Sequence, residues 1–180
     1  MPPTFRPAFI DASSAILLYK TDLFSSCTRA FDIAMAEAVF QEVSVPGYPG
    51  AGFFKRMGRE RRFRIIGADS RGKAIEGLTH LDRGELETLS LFLGCRNSST
   101  FIIMDDGKGA RYCYSQGIPF INALLVPKIF WYAGRMDTET YTDKTGRLIE
   151  AGRYSKTIIK KAETLTREDL ALFIPDESTP

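Results

Sequence analysis

The sequence FIIMDDG, residues 101–107, gives the clearest indication of how this chain folds. Its four consecutive apolar residues are typical of a strand buried on both faces, as in a parallel sheet covered by helices. The apolar run ends at Asp105 and Asp106. Residues 8–10 form a second apolar run, which ends at Asp11 and precedes a helical pattern from residue 15 onward. Two strands are therefore predicted to end in acidic side chains.

Strands and helices are predicted to alternate along the chain. Residues 63–66 are a further predicted strand, whereas residues 109–115 and 128–135 are predicted helices. This alternation indicates an α/β fold with a central parallel sheet, helices on both faces and right-handed crossovers. Ligands of such sheets collect at the carboxyl ends of the strands, which is the edge predicted to carry the acidic residues.

Two further acidic residues are predicted to lie on helices. Residues 32–43 carry apolar side chains at spacings of three and four, and we predict one continuous helix there that includes Glu42. Asp82 and Glu85 have the spacing of a capping box at the start of an apolar-periodic helix. Glu42 can be a solvated helix residue, and Glu85 can be only a capping residue, so neither position alone indicates a ligand.

Length and composition indicate an ordinary globular protein. The chain has 180 residues, of which 44% are apolar and 26% charged, and its formal net charge is +2. One domain is expected at this length, and the small net charge does not by itself indicate a nucleic-acid partner. The apolar runs are shorter than the roughly 18 residues that a membrane span needs. We predict a cytoplasmic protein that does not cross a membrane.

The counts of cysteine and histidine exclude several kinds of site. Three widely separated cysteines form no CxxC pair, which favours a reducing compartment. Because His80 is the single histidine, any histidine-based metal site or nucleophile–histidine mechanism would depend on it alone. It precedes a predicted helix start, where a surface or capping role is expected.

Clustered carboxylates predict a bound cation. Two unit charges about 4 Å apart repel by roughly 4 kcal/mol at an effective dielectric constant of 20, and a divalent ion removes that repulsion. Oxygen ligands suit Mg²⁺ or Mn²⁺, and Mg²⁺ commonly bridges carboxylates to phosphate. The predicted substrate is therefore a phosphodiester or a phosphate ester, attacked by an activated water.

The order of these motifs resembles that of PIN-domain proteins. The motifs are IDASS, VFQEV, GELE and IMDD followed by an Ala-Arg pair, at residues 10–14, 39–43, 84–87, 103–106 and 110–111. The resemblance covers about residues 8–136. It implies a three-layer α/β/α fold and Mg²⁺- or Mn²⁺-dependent cleavage of RNA, often by the toxin of a toxin–antitoxin pair. RNA, an antitoxin protein and a second copy of the chain are the candidate partners.

The resemblance also assigns roles to residues. It implies a set of acidic catalytic residues, which are Asp11, Glu42, Glu85, Asp105 and Asp106. All of them except Asp105 are implied to bind the metal. Whether Asp105 or Asp106 is the last ligand stays open. Glu87 ranks below Glu85, because residues two apart on a helix point about 200° apart. Ser13 matches a hydroxyl often found two residues after the first Asp.

Basic residues in two places are predicted to contact the substrate. The densest charge run is KRMGRERRFR at residues 55–64, from which Arg59, Arg61 and Arg62 are predicted to guide an RNA backbone. The same run can equally be a solvated face or a site for an acidic partner. Lys108 and Arg111 are predicted to lie near the metal and to contact a phosphate, although Arg111 can instead pair with a carboxylate.

The chain departs from the family pattern in two regions. Asn122 and Ala123 stand where Gly-Thr is usual, and residues 47–64 are rich in Gly and Arg. A catalytically degenerate PIN-fold module that binds nucleic acid or protein is therefore the alternative function. A phosphotransfer domain is disfavoured, because Ser13 stands where such enzymes need a second Asp. We predict a PIN-like domain over residues 1–136 and an extension over 137–180 that packs on it.

Overall fold

The computed structural model describes residues 5–67, 80–95 and 99–175. These residues form one five-stranded sheet in which every pairing is parallel, with the strand order β3-β2-β1-β4-β5. The strands are β1 (Arg6–Ile10), β2 (Phe31–Ala36), β3 (Arg64–Ile66), β4 (Phe101–Ile103) and β5 (Phe120–Ile121). Helices cover both faces, so the predicted three-layer α/β/α fold is confirmed.

Nine α-helices are found within the described residues, and most of them connect or follow the strands. They are α1 (Ala12–Lys20), α2 (Phe24–Ala30), α3 (Glu37–Val43), α4 (Ala51–Arg59), α5 (Arg83–Cys95), α6 (Gly107–Ser115), α7 (Val126–Tyr132), α8 (Thr138–Gly152) and α9 (Lys156–Thr164). Short 3₁₀ turns cover Ala123–Leu125 and Ala171–Phe173. In the part of the chain that the structure describes, no helix is long and apolar enough to cross a membrane.

The two central strands hold the core. Ile10 pairs with Ile103 of β4 on one side and with Met35 of β2 on the other, and all three side chains are fully buried. The backbone amide of Asp11 continues the ladder by donating to the carbonyl of Ile103 at 3.1 Å. Because β1 and β4 run in the same direction and in register, the residues that follow them lie side by side at the carboxyl edge of the sheet.

The prediction of one helix over residues 32–43 is wrong. Residues 31–36 form β2, and only residues 37–43 are helical. β2 lies between β1 and β3, and its last four residues are all buried, so its sequence has no alternation of polar and apolar side chains. A buried strand that leads directly into a helix therefore shows the three- and four-residue spacings of a longer helix.

The helices after residue 137 pack against the rest of the molecule. Arg147 of α8 donates to the carbonyl of Lys20 and pairs with Asp22, both near the end of α1. The buried ammonium of Lys128 donates to the carbonyls of Ala162 and Glu163 at 2.8 and 2.7 Å, which satisfies the carboxyl end of α9. These contacts join α8 to the end of α1 and α9 to α7.

Candidate metal centre

Acidic side chains from three parts of the chain meet at the carboxyl edge of the sheet. Asp11 follows β1 and caps α1, whereas Asp105 and Asp106 follow β4 and lead into α6. Glu85 lies in the first turn of α5. The predicted convergence of Asp11 with the Asp105–Asp106 pair is thus seen directly, as backbone-to-carboxylate hydrogen bonds between the two strand ends.

Asp11 is the innermost carboxylate, with only 3% of its surface exposed. One oxygen, Oδ1, accepts a hydrogen bond from the backbone amide of Ser14 at 2.7 Å. The other, Oδ2, accepts from the amides of Asp105 and Asp106, both at 3.1 Å. Burial, and to a lesser degree the charge of Asp105, raise the pKa of Asp11 to about 7 in spite of these donors.

Asp105 is held by hydrogen bonds from three parts of the chain. Its Oδ2 accepts from the Ser14 hydroxyl at 2.7 Å and from the backbone amide of Ala123 at 2.8 Å. Its Oδ1 accepts from the hydroxyl of Tyr154. Burial raises the pKa of Asp105, and the three donors oppose that rise. The Asp105 side chain therefore links α1, the end of β5 and the segment before α9 through these hydrogen bonds.

Glu85 forms the predicted capping box with Asp82. The amide of Asp82 donates to Glu85 Oε2 at 2.9 Å, and the amide of Glu85 donates to Asp82 Oδ1 at 2.8 Å. The residue is only 4% exposed, and its second oxygen, Oε1, is buried without a hydrogen-bond partner among the described residues. Glu85 thus keeps one carboxylate oxygen free of donors after the cap is made.

That carboxyl group interacts with Asp106. Asp106 caps α6 through Oδ1, which accepts from the amides of Lys108 and Gly109 at 2.7 and 3.3 Å. Burial and the contact with Asp106 raise the pKa of Glu85 to about 7, whereas that contact lowers the pKa of Asp106. When both carboxyl groups are ionised, no proton lies between them and their negative charges repel. A shared proton or a bound cation can remove that repulsion.

Glu42 and Glu87 lie beside this pair rather than between its members. Glu42 is exposed, with Oε2 close to Gly84, and partial burial and the charge of Asp82 raise its pKa. Glu87 accepts from the amide of Ala38 at 3.0 Å and pairs with Arg83 at 2.8 Å. Glu87 therefore caps α3. This role agrees with ranking Glu87 below Glu85 as a candidate metal ligand.

The donor set matches a hard divalent cation in chemistry. Within residues 5–67, 80–95 and 99–175, no three side chains of His, Cys, Asp or Glu are arranged closely enough to surround an ion. Mg²⁺ usually uses only one or two carboxylates, several waters and substrate phosphate instead of a complete protein cage. The partnerless Oε1 of Glu85 beside Asp106 is a fitting position for such an ion.

The predicted substrate residues divide between two edges of the sheet. Lys108 lies at the carboxyl edge, where its charge helps to lower the pKa of Asp106. Arg111 is exposed on α6 with its guanidinium near Gly107, and Ser13 is exposed in the first turn of α1. Arg59, Arg61 and Arg62 immediately precede β3, so they lie toward the opposite, amino-terminal edge. The structure does not bring those three arginines to the carboxylates.

Three hydrogen-bond contacts at this edge were not predicted from the sequence. Ser14, not Ser13, bonds both aspartates, and a Ser three residues after a capping Asp was an available local signal. The amide of Ala123 serves Asp105 through the backbone, so no residue type could have indicated it. Tyr154 is 49 residues from Asp105, and nothing near it in sequence indicates the contact.

Comparison with known proteins identifies a family. A family model described as "DUF3368: PIN domain" matches residues 8–164. No curated protein and no solved structure gives a significant match to the chain. The family match covers β1 from residue 8, the other four strands completely and all of the acidic residues described above.

Proposed function

The chain belongs to the PIN-domain family, and from this premise we propose that it is a Mg²⁺- or Mn²⁺-dependent endoribonuclease. PIN domains are generally nucleases, so hydrolysis of a nucleic-acid phosphodiester is the general function. RNA as the substrate, a divalent ion as the cofactor and the individual residue roles are the specific parts of the proposal.

One observation supports the metal centre most strongly. Among the residues that the structure describes, Glu85 Oε1 is buried without a hydrogen-bond donor, and its carboxyl group lies against Asp106. Burying a carboxylate oxygen with no partner costs about 1–3 kcal/mol or more, and a second negative charge adds to that cost. A divalent cation would satisfy both groups, and this supports a cation site at the pair.

The proposal gives each acidic residue a task. Glu85 and Asp106 would hold the ion, and Asp11 would fix the backbone of Asp105 and Asp106 through its Oδ2 while facing the same edge. Glu42, beside Asp82, is the outermost member of the set. When bound, Mg²⁺ or Mn²⁺ would supply a Lewis acid for the phosphodiester and for the attacking water. Lys108, whose charge acts on Asp106, would contact a phosphate oxygen.

RNA cleavage with and without metal tests this function. The parent protein should cleave single-stranded RNA in Mn²⁺ or Mg²⁺, and EDTA should stop the reaction. The Asp11→Asn variant should lose cleavage by about a hundredfold or more, because the edge loses one of its charges. Circular dichroism must show that the variant is folded, since the Asn side chain replaces one acceptor oxygen by an amide NH2, which cannot accept from the backbone amides that bond Asp11. A folded variant with full activity would overturn the assignment.

A non-catalytic PIN-fold binding module is the second candidate. It is favoured by the donors that already occupy both oxygens of Asp11 and both oxygens of Asp105. Mn²⁺ binding or RNA binding without any cleavage would support this module and contradict the nuclease. A toxin role, with an antitoxin partner and a cytoplasmic site of action, belongs to the nuclease proposal and predicts growth arrest when the chain is expressed alone.

A further inference from the structure

Tyr154 reaches the acidic edge from the short connection between α8 and α9. α8 ends at Gly152, and Arg153 then adopts a left-handed backbone conformation with φ of 50°. Only Arg153 and Tyr154 lie between the end of α8 and Ser155, which caps α9. The Tyr154 hydroxyl donates a hydrogen bond to Asp105 Oδ1. A non-glycine residue with positive φ is uncommon, so packing around the turn must hold it in place.

Gly152 makes room for the tyrosine ring. A Cβ atom built on Gly152 would lie closer to ring carbons of Tyr154 than real carbon atoms approach each other. Nothing larger than glycine fits there unless the ring moves. α9 is in turn anchored by Lys128, which donates to the carbonyls of Ala162 and Glu163. The position of the hydroxyl is therefore fixed from both sides of the turn.

The Tyr154 hydroxyl donates to Oδ1 of Asp105, whereas the other two donors bond Oδ2. Ser14 and Ala123 both donate to Oδ2, and within the described residues Tyr154 is the donor to Oδ1. Tyr154 and Asp105 also line a cavity of about 390 Å³ between β5, α6 and α9. Without the hydroxyl, the Asp105 carboxylate would be free to turn toward this cavity.

We infer that Tyr154 is a positioning residue of the metal centre, which holds Asp105 and thereby orients the neighbouring backbone between Asp105 and Asp106 against Asp11. This inference rests on the proposed nuclease function for its effect on catalysis. The hydroxyl-to-carboxylate contact itself is independent of that function. The C-terminal helices are then part of the site, because they carry the residue that completes the support of Asp105.

Tyr154→Phe tests the inference, with two companion variants. The first variant removes only the hydroxyl. Gly152→Ala keeps the hydroxyl but displaces the ring, so it should reproduce the effect by a different route. Tyr132→Phe is the matched control, because the Tyr132 hydroxyl donates to the carbonyl of Leu165 and, among the described residues, makes no hydrogen bond to the acidic residues of the metal centre.

Two readouts separate positioning from general stability. Amide hydrogen exchange at Ala123, measured by NMR on the metal-free proteins, should be about tenfold faster in Tyr154→Phe and Gly152→Ala and unchanged in Tyr132→Phe. RNA cleavage in Mn²⁺ should show kcat about ten- to a hundredfold lower for the first two, with KM little changed, as expected for a lost hydrogen bond to a charged group. The control should keep the parent kcat.

Each outcome decides the matter. Unchanged exchange at Ala123 in Tyr154→Phe would overturn the inference whatever the activity, and so would a parental kcat alongside faster exchange. If the parent itself cleaves no RNA, the nuclease proposal fails. In that case exchange at Ala123 and Mn²⁺ affinity decide the inference, which requires both to change in Tyr154→Phe and neither to change in Tyr132→Phe.

Discussion

Asp11 accepts three backbone hydrogen bonds, one from its own helix and two from the end of the neighbouring strand. An aspartate directly before a helix can be an N-cap as well as a metal ligand. A carboxylate oxygen has more than one lone pair, so the cap does not exclude a cation nearby. Its burial makes the negative charge costly, which is why the pKa rises to about 7 despite the donors.

Stability should depend on pH through Asp11 and Glu85. Both have pKa values raised to about 7 in the folded protein, from 3.8 and 4.5. Each binds its proton more tightly in the folded chain, so its contribution to stability is fully present below the unfolded pKa and is lost as the pH rises through about 7. Calorimetry in EDTA should therefore show Tm rising by several degrees from about pH 8 to about pH 5.5.

Glu85→Gln provides the control for this pH dependence. The variant keeps an oxygen acceptor for the Asp82 amide but cannot titrate, so its Tm should rise less over the same interval. A parent Tm that falls steadily as the solution is acidified would contradict the raised pKa values.

Ser14 and Ser13 form a matched pair for a test of the hydrogen bond from Ser14 to Asp105. The Ser14 hydroxyl is fully buried and donates to Asp105 at 2.7 Å, whereas Ser13 is exposed. Ser14→Ala should lower the free energy of unfolding by about 1–2 kcal/mol, because the buried carboxylate loses a donor. Ser13→Ala should change it by less than about 0.5 kcal/mol. Equal urea midpoints for the two variants would contradict the assigned contact.

Among the secondary-structure elements, β4 was the easiest to predict and β2 the hardest. β4 is a short apolar run that ends in two acids, which matches a buried central strand. β2 is equally buried but continues into α3 without a turn, since Ala36 both ends the strand and precedes the helix. No glycine, proline or asparagine marks that boundary, because Ala36 is followed directly by Glu37, which is a good helix former. Local pattern alone therefore merged the two elements.

The site residues whose positions follow from local sequence pattern could likewise be predicted, and those that depend on tertiary packing could not. Asp11, Asp105 and Asp106 could be placed together because they directly follow strands that pair in parallel. The capping box of Glu85 with Asp82 could be predicted because it is local. The predicted strand at residues 63–66 already indicates that Arg59, Arg61 and Arg62 lie toward the amino-terminal edge, whereas the position of Tyr154 depends on how α8 and α9 pack. Such placement is set by tertiary structure, which spacing along the chain does not encode.

The basic segment before β3 should act only on long RNA. β1 has five residues and so is about 16 Å long, which is the approximate distance between the two edges of the sheet. Replacing Arg59 and Arg61 together by Ala should raise KM for RNA of about 20 nucleotides severalfold, reduce its salt dependence and leave kcat unchanged. A substrate of about four nucleotides, too short to reach both edges, should show no change.

Arg64→Ala is the control for that experiment. Arg64 is already paired with Asp32 at 2.8 Å, so its loss removes little free positive charge. If the double variant bound long RNA as well as the parent did, the segment would be a solvated face or a site for another partner.

The whole molecule brings distant parts of the chain to one edge. Parallel strands joined by helical crossovers must start at one edge and end at the other, so acids after β1 and β4 meet although they are more than ninety residues apart. The match to the PIN-domain family extends through residue 164 and so includes α8, α9 and Tyr154. We propose that the segment after residue 137 packs as part of the same domain and supports the carboxylate edge.

Calorimetric titration of Mn²⁺ into the parent, Glu85→Gln and Glu87→Gln proteins is the most direct test of the metal centre. Both variants remove one negative charge from α5, but only Glu85 lies against Asp106, whereas Glu87 caps α3 and pairs with Arg83. We predict that the parent and Glu87→Gln bind Mn²⁺ with similar affinity and that Glu85→Gln binds at least about tenfold more weakly. Binding by Glu85→Gln as tight as that of the parent would contradict the account.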